Sequence, residues 1–227
     1  MNVLRLLIEF KDDFSYERGK MNKVFIFDFD GTLVTEDTLD VICDIVGKKK
    51  ESQALRDLVI HGKTKSLKPL NDRINFLKGV SYSQIKEKLN EENYLQKGAK
   101  ELFKYLKEEK FITVLSSGNI LPVLRYYQEL LGIDYIFGTN PKMKNDIIEG
   151  INLDNLEGKD FKYDACLDLI NKLKVSKENI YGIGDSAVDI KMLSLAGHTF
   201  AINPKGGLEQ YVDYVIKNDL TEVINYL

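Results

Sequence analysis

Five short apolar runs punctuate this chain: Val24–Phe27, Phe111–Leu115, Tyr135–Phe137, Ile180–Gly184 and Thr199–Ile202. None alternates with polar residues, so each predicts a strand buried on both faces, as in a parallel sheet. Apolar residues at helical spacing fill most of the rest. Leu39, Ile42, Cys43 and Val46 open a series of amphipathic segments continuing through Ala54–Ile60, Leu67–Leu77 and Ser83–Leu89. Further helices are predicted at Ala99–Leu106, through Val123, Tyr127 and Leu131, over 162–173, around Ile190, Met192 and Leu195, and at Leu220–Leu227. Residues 138–160 scatter Gly, Asn, Pro and Asp among short apolar pairs and predict an irregular hairpin or flap.

Strand and helix thus alternate from residue 96 onward, the pattern of a doubly wound, Rossmann-like α/β sheet. Between the first two strands about sixty residues are helical, whereas a crossover needs only a dozen or so. The excess predicts an α-helical cap, residues 36–95, inserted into a core made of residues 1–35 and 96–227.

The 227 residues are 44% hydrophobic and 30% charged, enough for a real core. The net charge of −3, with no basic block, argues against nucleic acid as a partner. Cys43 and Cys166 lie far apart and near no His pair, which reads as reduced, buried thiols. His61 and His198 are isolated and carry no metal-site pattern. No stretch is long and apolar enough for a membrane span, and Val3–Phe10 is interrupted by Arg5 and Glu9, so it makes a poor signal peptide. A cytoplasmic protein with no membrane partner, monomeric or homodimeric, is the expectation. Residues 1–20 sit awkwardly before the first strand, and Met21 is a candidate functional start.

Three strand ends carry polar groups: Asp28 and Asp30, Ser116 and Ser117, and Asp185. In a doubly wound sheet such ends converge on one crevice. Two carboxylates at a buried strand end repel each other and are costly to desolvate, a conflict that a cation removes. Mg²⁺ is the obvious candidate, because it prefers oxygen ligands and keeps waters that a phosphate replaces. The plain alternative for Asp30-Gly31 is a common Asp-Gly turn.

With Phe27-Asp28-Phe29-Asp30-Gly31-Thr32-Leu33, Ser116, Lys162 and Gly184-Asp185-Ser186-Ala187-Val188-Asp189 in order, the chain resembles the haloacid dehalogenase superfamily of phosphohydrolases from about Lys23 to its end. Within it the chain most resembles the phosphoserine phosphatase family, through the cap's position, Gly62-Lys63, Arg73–Lys78, and the 23 positions from Lys162 to Asp185. It departs from that family at Gly31, often Ser, at Asp37, usually Glu, and at Val188, often Asn.

The resemblance implies a Mg²⁺-dependent phosphomonoesterase that passes through an aspartyl-phosphate, with a role in serine biosynthesis. Asp28 is then the nucleophile, ionised at neutral pH given a free pKa of about 3.9. Asp30 is the general acid/base, through a raised pKa, and lends its backbone carbonyl to the metal. Asp185 completes the metal site, with Asp189 bracing it or Lys162. Ser116, with the N–H groups of Ser117 and Gly118 at a helix start, holds the phosphate, and Lys162 offsets charge in the transition state. In the cap, Arg73 pairs with a substrate carboxylate, and Glu36 or Asp37 with an ammonium.

Plainer readings stand beside these roles: Ser116 as an N-cap, Lys162 and Arg73 as solvated helix residues, and Asp189, Glu36 and Asp37 as first-turn acids. The implied substrate is O-phosphoserine or a similar small carboxylate-bearing ester, with phosphoglycolate and sugar phosphates as alternatives. A receiver domain phosphorylated on Asp28 without turnover is a reading of another class, and the cap and Asp30 argue against it. A relative that binds phosphates without turnover is a third, but no expected catalytic residue is missing.

Overall fold

The computed structural model of the chain describes residues 23–64, 66–151 and 160–227. The candidate start at Met21, the Val3–Phe10 run and part of the expected flap lie outside the described residues.

Strand β1 (Val24–Phe27) is followed by helices α1 (Thr38–Cys43), α2 (Lys49–Ile60), α3 (Lys68–Phe76) and α4 (Tyr82–Asn90). Then come α5 (Ala99–Glu108), β2 (Ile112–Ile120), α6 (Leu121–Leu131) and β3 (Tyr135–Thr139). A hairpin of β4 (Lys142–Lys144) and β5 (Ile147–Gly150) precedes α7 (Phe161–Leu173). The chain closes through β6 (Ile180–Ser186), α8 (Ile190–Leu193), β7 (His198–Lys205), β8 (Tyr214–Ile216) and a 3₁₀ segment, Leu220–Tyr226.

Among the described residues six strands form one sheet in the order β3-β2-β1-β6-β7-β8. Every pairing in it is parallel. This is the doubly wound α/β order, with its switch point between β1 and β6. Residues of β1 alternate between two cores. Phe25 and Phe27 join Phe103, Phe111 and Phe200 on one face, with the rings of Phe25 and Phe27 stacked 4.4 Å apart. Val24 and Ile26 pack on Cys166, Leu169 and Leu193 on the other. Burial on both faces is why the run needed no polar residue.

The register places the polar strand ends together. Phe27 pairs with Leu115 of β2 and with Ile183 of β6. Asp28 therefore emerges between Ser116 and Gly184, with Asp185 one residue further.

Two expectations change. Strand β2 runs to Ile120, so Ser116–Gly118 lie in the strand and not at the start of α6. Pro122 fixes the start of that helix, and Asn119 Oδ1 accepts from the Ile120 N–H at 2.8 Å ahead of it. The C-terminal helix is 3₁₀, begun by Asp219 accepting from Thr221 N and Oγ1. Its β-branched Thr221, Val223 and Ile224 disfavour a regular α-helix. Strand β8 is only three residues long, too short to show a period. The flap is a hairpin turning at Asn145 and Asp146, both at positive φ. It is tied to the turn before α4 by Gly79 N to Ile148 O and Ile148 N to Val80 O.

Candidate active site

Asp28 follows β1, and its backbone N–H donates to Ile183 O on β6. Its carboxylate is held at both oxygens. Thr32 Oγ1 donates to Oδ2 at 2.8 Å, and Lys162 Nζ donates to Oδ1 at 2.5 Å. Lys162 enters from the first turn of α7 and also meets Asp189 Oδ1 at 2.8 Å. The second oxygen of Asp189 accepts from Asp185 N, Ser186 N and Ser186 Oγ, which fixes the turn leaving β6. A Cβ on Gly184 would lie 2.7 Å from Asp189, so this turn closes only with glycine there.

Asp28, Asp185 and Asp189 are all buried, and each offers an oxygen within 4.8 Å of the others. Such an all-oxygen, anionic set suits a hard divalent cation. The chemistry of Asp28 shows the same need. Burial, then the charges of Asp189 and Asp185, push its pKa up to about 7 against the pull of Lys162. Positive charge beside Asp28 favours its ionised form. Burial also works against the charge of Lys162, but Asp28 and Asp189 outweigh it and hold its pKa above the ordinary range.

The Asp30 carboxylate makes its hydrogen bonds outside this cluster. Its Oδ1 accepts from Thr38 N and Oγ1, each at 2.8 Å, and its Oδ2 from Asn119 Nδ2 at 2.9 Å. Asn119 Nδ2 also donates to Thr38 Oγ1, which closes a three-residue ring. Burial, followed by the charge of Asp37, pushes the Asp30 pKa up to about 7, as a proton donor requires.

Ser116 Oγ is buried with no nitrogen or oxygen partner among the described residues, and the Cys166 thiol, a weak partner, lies beside it. A buried hydroxyl with only a thiol beside it keeps hydrogen-bonding capacity for a further polar group. Ser117 Oγ accepts from Asn119 N, and Gly118 O from Thr139 Oγ1.

The residues expected to read the substrate's far end are joined to each other. Arg73 is buried on α3, and its Nη2 donates to Asp37 Oδ1 at 2.6 Å and Asp40 Oδ1 at 2.9 Å. Its Nε donates to Ser52 Oγ. Arg56 adds a second guanidinium, its Nη1 2.5 Å from Asp40 Oδ2 and 3.9 Å from Asp37 Oδ2. Asp37 also caps α1 by accepting from Asp40 N. Glu36 is exposed and outside this cluster.

Thr38, Asp40, Arg56, Asn119 and Lys205 were missed from the sequence. Buried Asp40 within the apolar face of α1 was the readable sign of a partner. Lys205, whose Nζ lies 3.0 Å from Asp185 Oδ2, gave none. The two cysteines are free and buried, as expected. Among the described residues no helix is long and apolar enough to cross a membrane.

The family model for haloacid dehalogenase-like hydrolases matches residues 25–194. A phosphoserine phosphatase of Methanocaldococcus jannaschii is 29% identical over 213 residues, covering 92% of this chain and 99% of that protein. One of Campylobacter jejuni subsp. doylei is 29% identical, covering 91% and 100%. A solved structure of a phospho-aspartyl intermediate analogue of phosphoserine phosphatase superposes with a TM-score of 0.77 at 27% identity, covering 92% of this chain and 100% of that one. A substrate-bound phosphoserine phosphatase complex gives 0.78 at 26% identity, covering 92% and 99%. Shared fold, matched motifs and near-complete coverage lead to one conclusion: the chain belongs to the haloacid dehalogenase-like hydrolases, as an enzyme of the phosphatase kind similar to phosphoserine phosphatases.

Proposed function

We propose that the chain is a Mg²⁺-dependent phosphomonoesterase that works through an aspartyl-phosphate on Asp28. Its substrate is O-phosphoserine or a similar small ester bearing a carboxylate. The observation that carries this reading is the cluster in which Lys162 joins Asp28 to Asp189 beside Asp185. Residues 36–95 serve as the cap over a core of 1–35 and 96–227, and the compartment we assign is the cytoplasm.

Asp28, Asp185 and the backbone carbonyl of Asp30 would hold the cation, with Asp189 bracing Lys162 behind them. When bound, the ion supplies positive charge between two anions, the carboxylate and the phosphate. An Asp28 oxygen attacks phosphorus while the bond to the leaving oxygen breaks. Asp30 gives that oxygen its proton. Water then attacks the same phosphorus, Asp30 takes the proton back, and phosphate leaves a free Asp28 carboxylate. The Ser116 hydroxyl and the Ser117 and Gly118 N–H groups hold the phosphoryl oxygens, and Lys162 offsets the charge that develops on them.

A second reading has one observation in its favour. Asp37 is already engaged by Arg73 and flanked by Arg56, which suits a hydroxy-acid phosphate without an ammonium. Phosphate release from phosphoserine, phosphothreonine, phosphoglycolate and sugar phosphates, with and without Mg²⁺, tests both. Release from phosphoserine only with Mg²⁺ is expected. Preference for phosphoglycolate favours the second reading, and no release from any ester contradicts both.

A further inference from the structure

Lys205 ends β7, and the β6–β7 register sets it opposite Ser186, beside Asp185. Its Nζ lies 3.0 Å from Asp185 Oδ2. The two partners differ in freedom: the Asp185 side chain is 9% exposed and that of Lys205 68%. The carboxylate is therefore fixed, whereas the ammonium, on a four-carbon stem facing water, leaves at little cost.

The same Asp185 oxygen lies over Gly31. A Cβ at position 31 would come within 2.2 Å of it, so a side chain there would push the Asp185 carboxylate aside. Charge adds to the geometry. Lys162 serves Asp28 and Asp189, and Lys205 serves Asp185. Each carboxylate of the cluster thus has a cation partner before any ion arrives.

We propose that Lys205 acts through Asp185 as a built-in competitor of the divalent cation, holding the carboxylate when the ion is away and ceding it when the ion binds. The proposal rests on the metal reading given above. Two like charges on one carboxylate repel, so every Mg²⁺ bound must work against Lys205 or displace it. A purely surface ion pair would leave metal affinity unchanged, and a residue that orients Asp185 toward the ion would strengthen it. Competition alone weakens it.

Calorimetric titration of Mg²⁺ into chelator-stripped protein separates these roles without reading activity. Lys205→Met is expected to bind Mg²⁺ about two- to fivefold more tightly than the unaltered chain, the range that an ion pair with one exposed partner supports. Lys205→Arg keeps the charge and is expected to bind like the unaltered chain. Unchanged or weaker binding by Lys205→Met overturns the proposal while leaving the metal reading intact. An unaltered chain that takes up neither Mg²⁺ nor Mn²⁺ overturns both.

Discussion

Lys162 Nζ bridges Asp28 Oδ1 and Asp189 Oδ1, at 2.5 and 2.8 Å, from 134 and 27 positions away in sequence. A helix start, a strand end and a following turn thereby share one charge. Lys162→Met leaves two buried carboxylates without it. The expected loss of stability is about 3–5 kcal/mol in chelator, the usual result of breaking a buried pair from one side. Urea unfolding with and without Mg²⁺ checks this, with partial recovery expected when Mg²⁺ is added.

Asp28 and Asp30 both have pKa values raised from 3.8 to about 7. A raised folded-state value means stability that is fully present below the unfolded value and is lost as pH rises through the folded one. Without metal, the melting temperature is therefore expected to fall between about pH 4 and pH 7 on account of these groups. Mg²⁺ should flatten the fall, because it stabilises the ionised form of Asp28. Thermal scans across pH in chelator and in Mg²⁺ decide it; a metal-free curve that rises over this window contradicts the raised values.

The doubly wound parallel sheet and the convergence of Asp28, Ser116 and Asp185 at its strand ends were legible in the sequence, whereas the order of the strands was not. These three follow from an apolar run and the residues that end it, while Lys162 was singled out by the resemblance and by its spacing from Asp185. The ring around Asp30 was not, because Asn119 and Thr38 come from separate elements and meet only through tertiary packing. The fate of Arg73 was half legible. Its pairing chemistry was clear, but its engagement by Asp37, Asp40 and Ser52 depends on how α1, α2 and α3 cross. Strand β8 was too short to read at all.

Asp30→Asn keeps the shape of the carboxylate but cannot shuttle a proton. Both formation and hydrolysis of the phosphoenzyme should slow, with kcat lower by about 10²–10⁴-fold. Rapid-quench kinetics measure each step, and normal turnover removes Asp30 from this role.

Gly31 has φ +90, and a Cβ there would strike Asp185 Oδ2. Gly31→Ala is expected to cost about 1–2 kcal/mol from the left-handed backbone alone. Displacement of Asp185 should weaken Mg²⁺ binding as well. Urea unfolding and Mg²⁺ calorimetry read the two effects separately.

Arg73→Ala removes the partner of Asp37 and Asp40 and should lower the melting temperature. If Arg73 also pairs with a substrate carboxylate, the KM of phosphoserine should rise by the equivalent of about 1.5–3 kcal/mol. The KM of p-nitrophenyl phosphate, which has no carboxylate, should barely change. Equal losses on both substrates assign Arg73 to holding the cap alone.

Trapping the covalent intermediate tests the assignment of Asp28 most directly. The enzyme is quenched during turnover of phosphoserine with Mg²⁺, reduced with borohydride, and digested for mass spectrometry. An aspartyl-phosphate at position 28 is reduced to homoserine there. The expected result is homoserine at position 28 in the active enzyme and none in Asp28→Asn, which should also be inactive. Sustained phosphate release with position 28 unmodified, or modification at another carboxylate, contradicts the account.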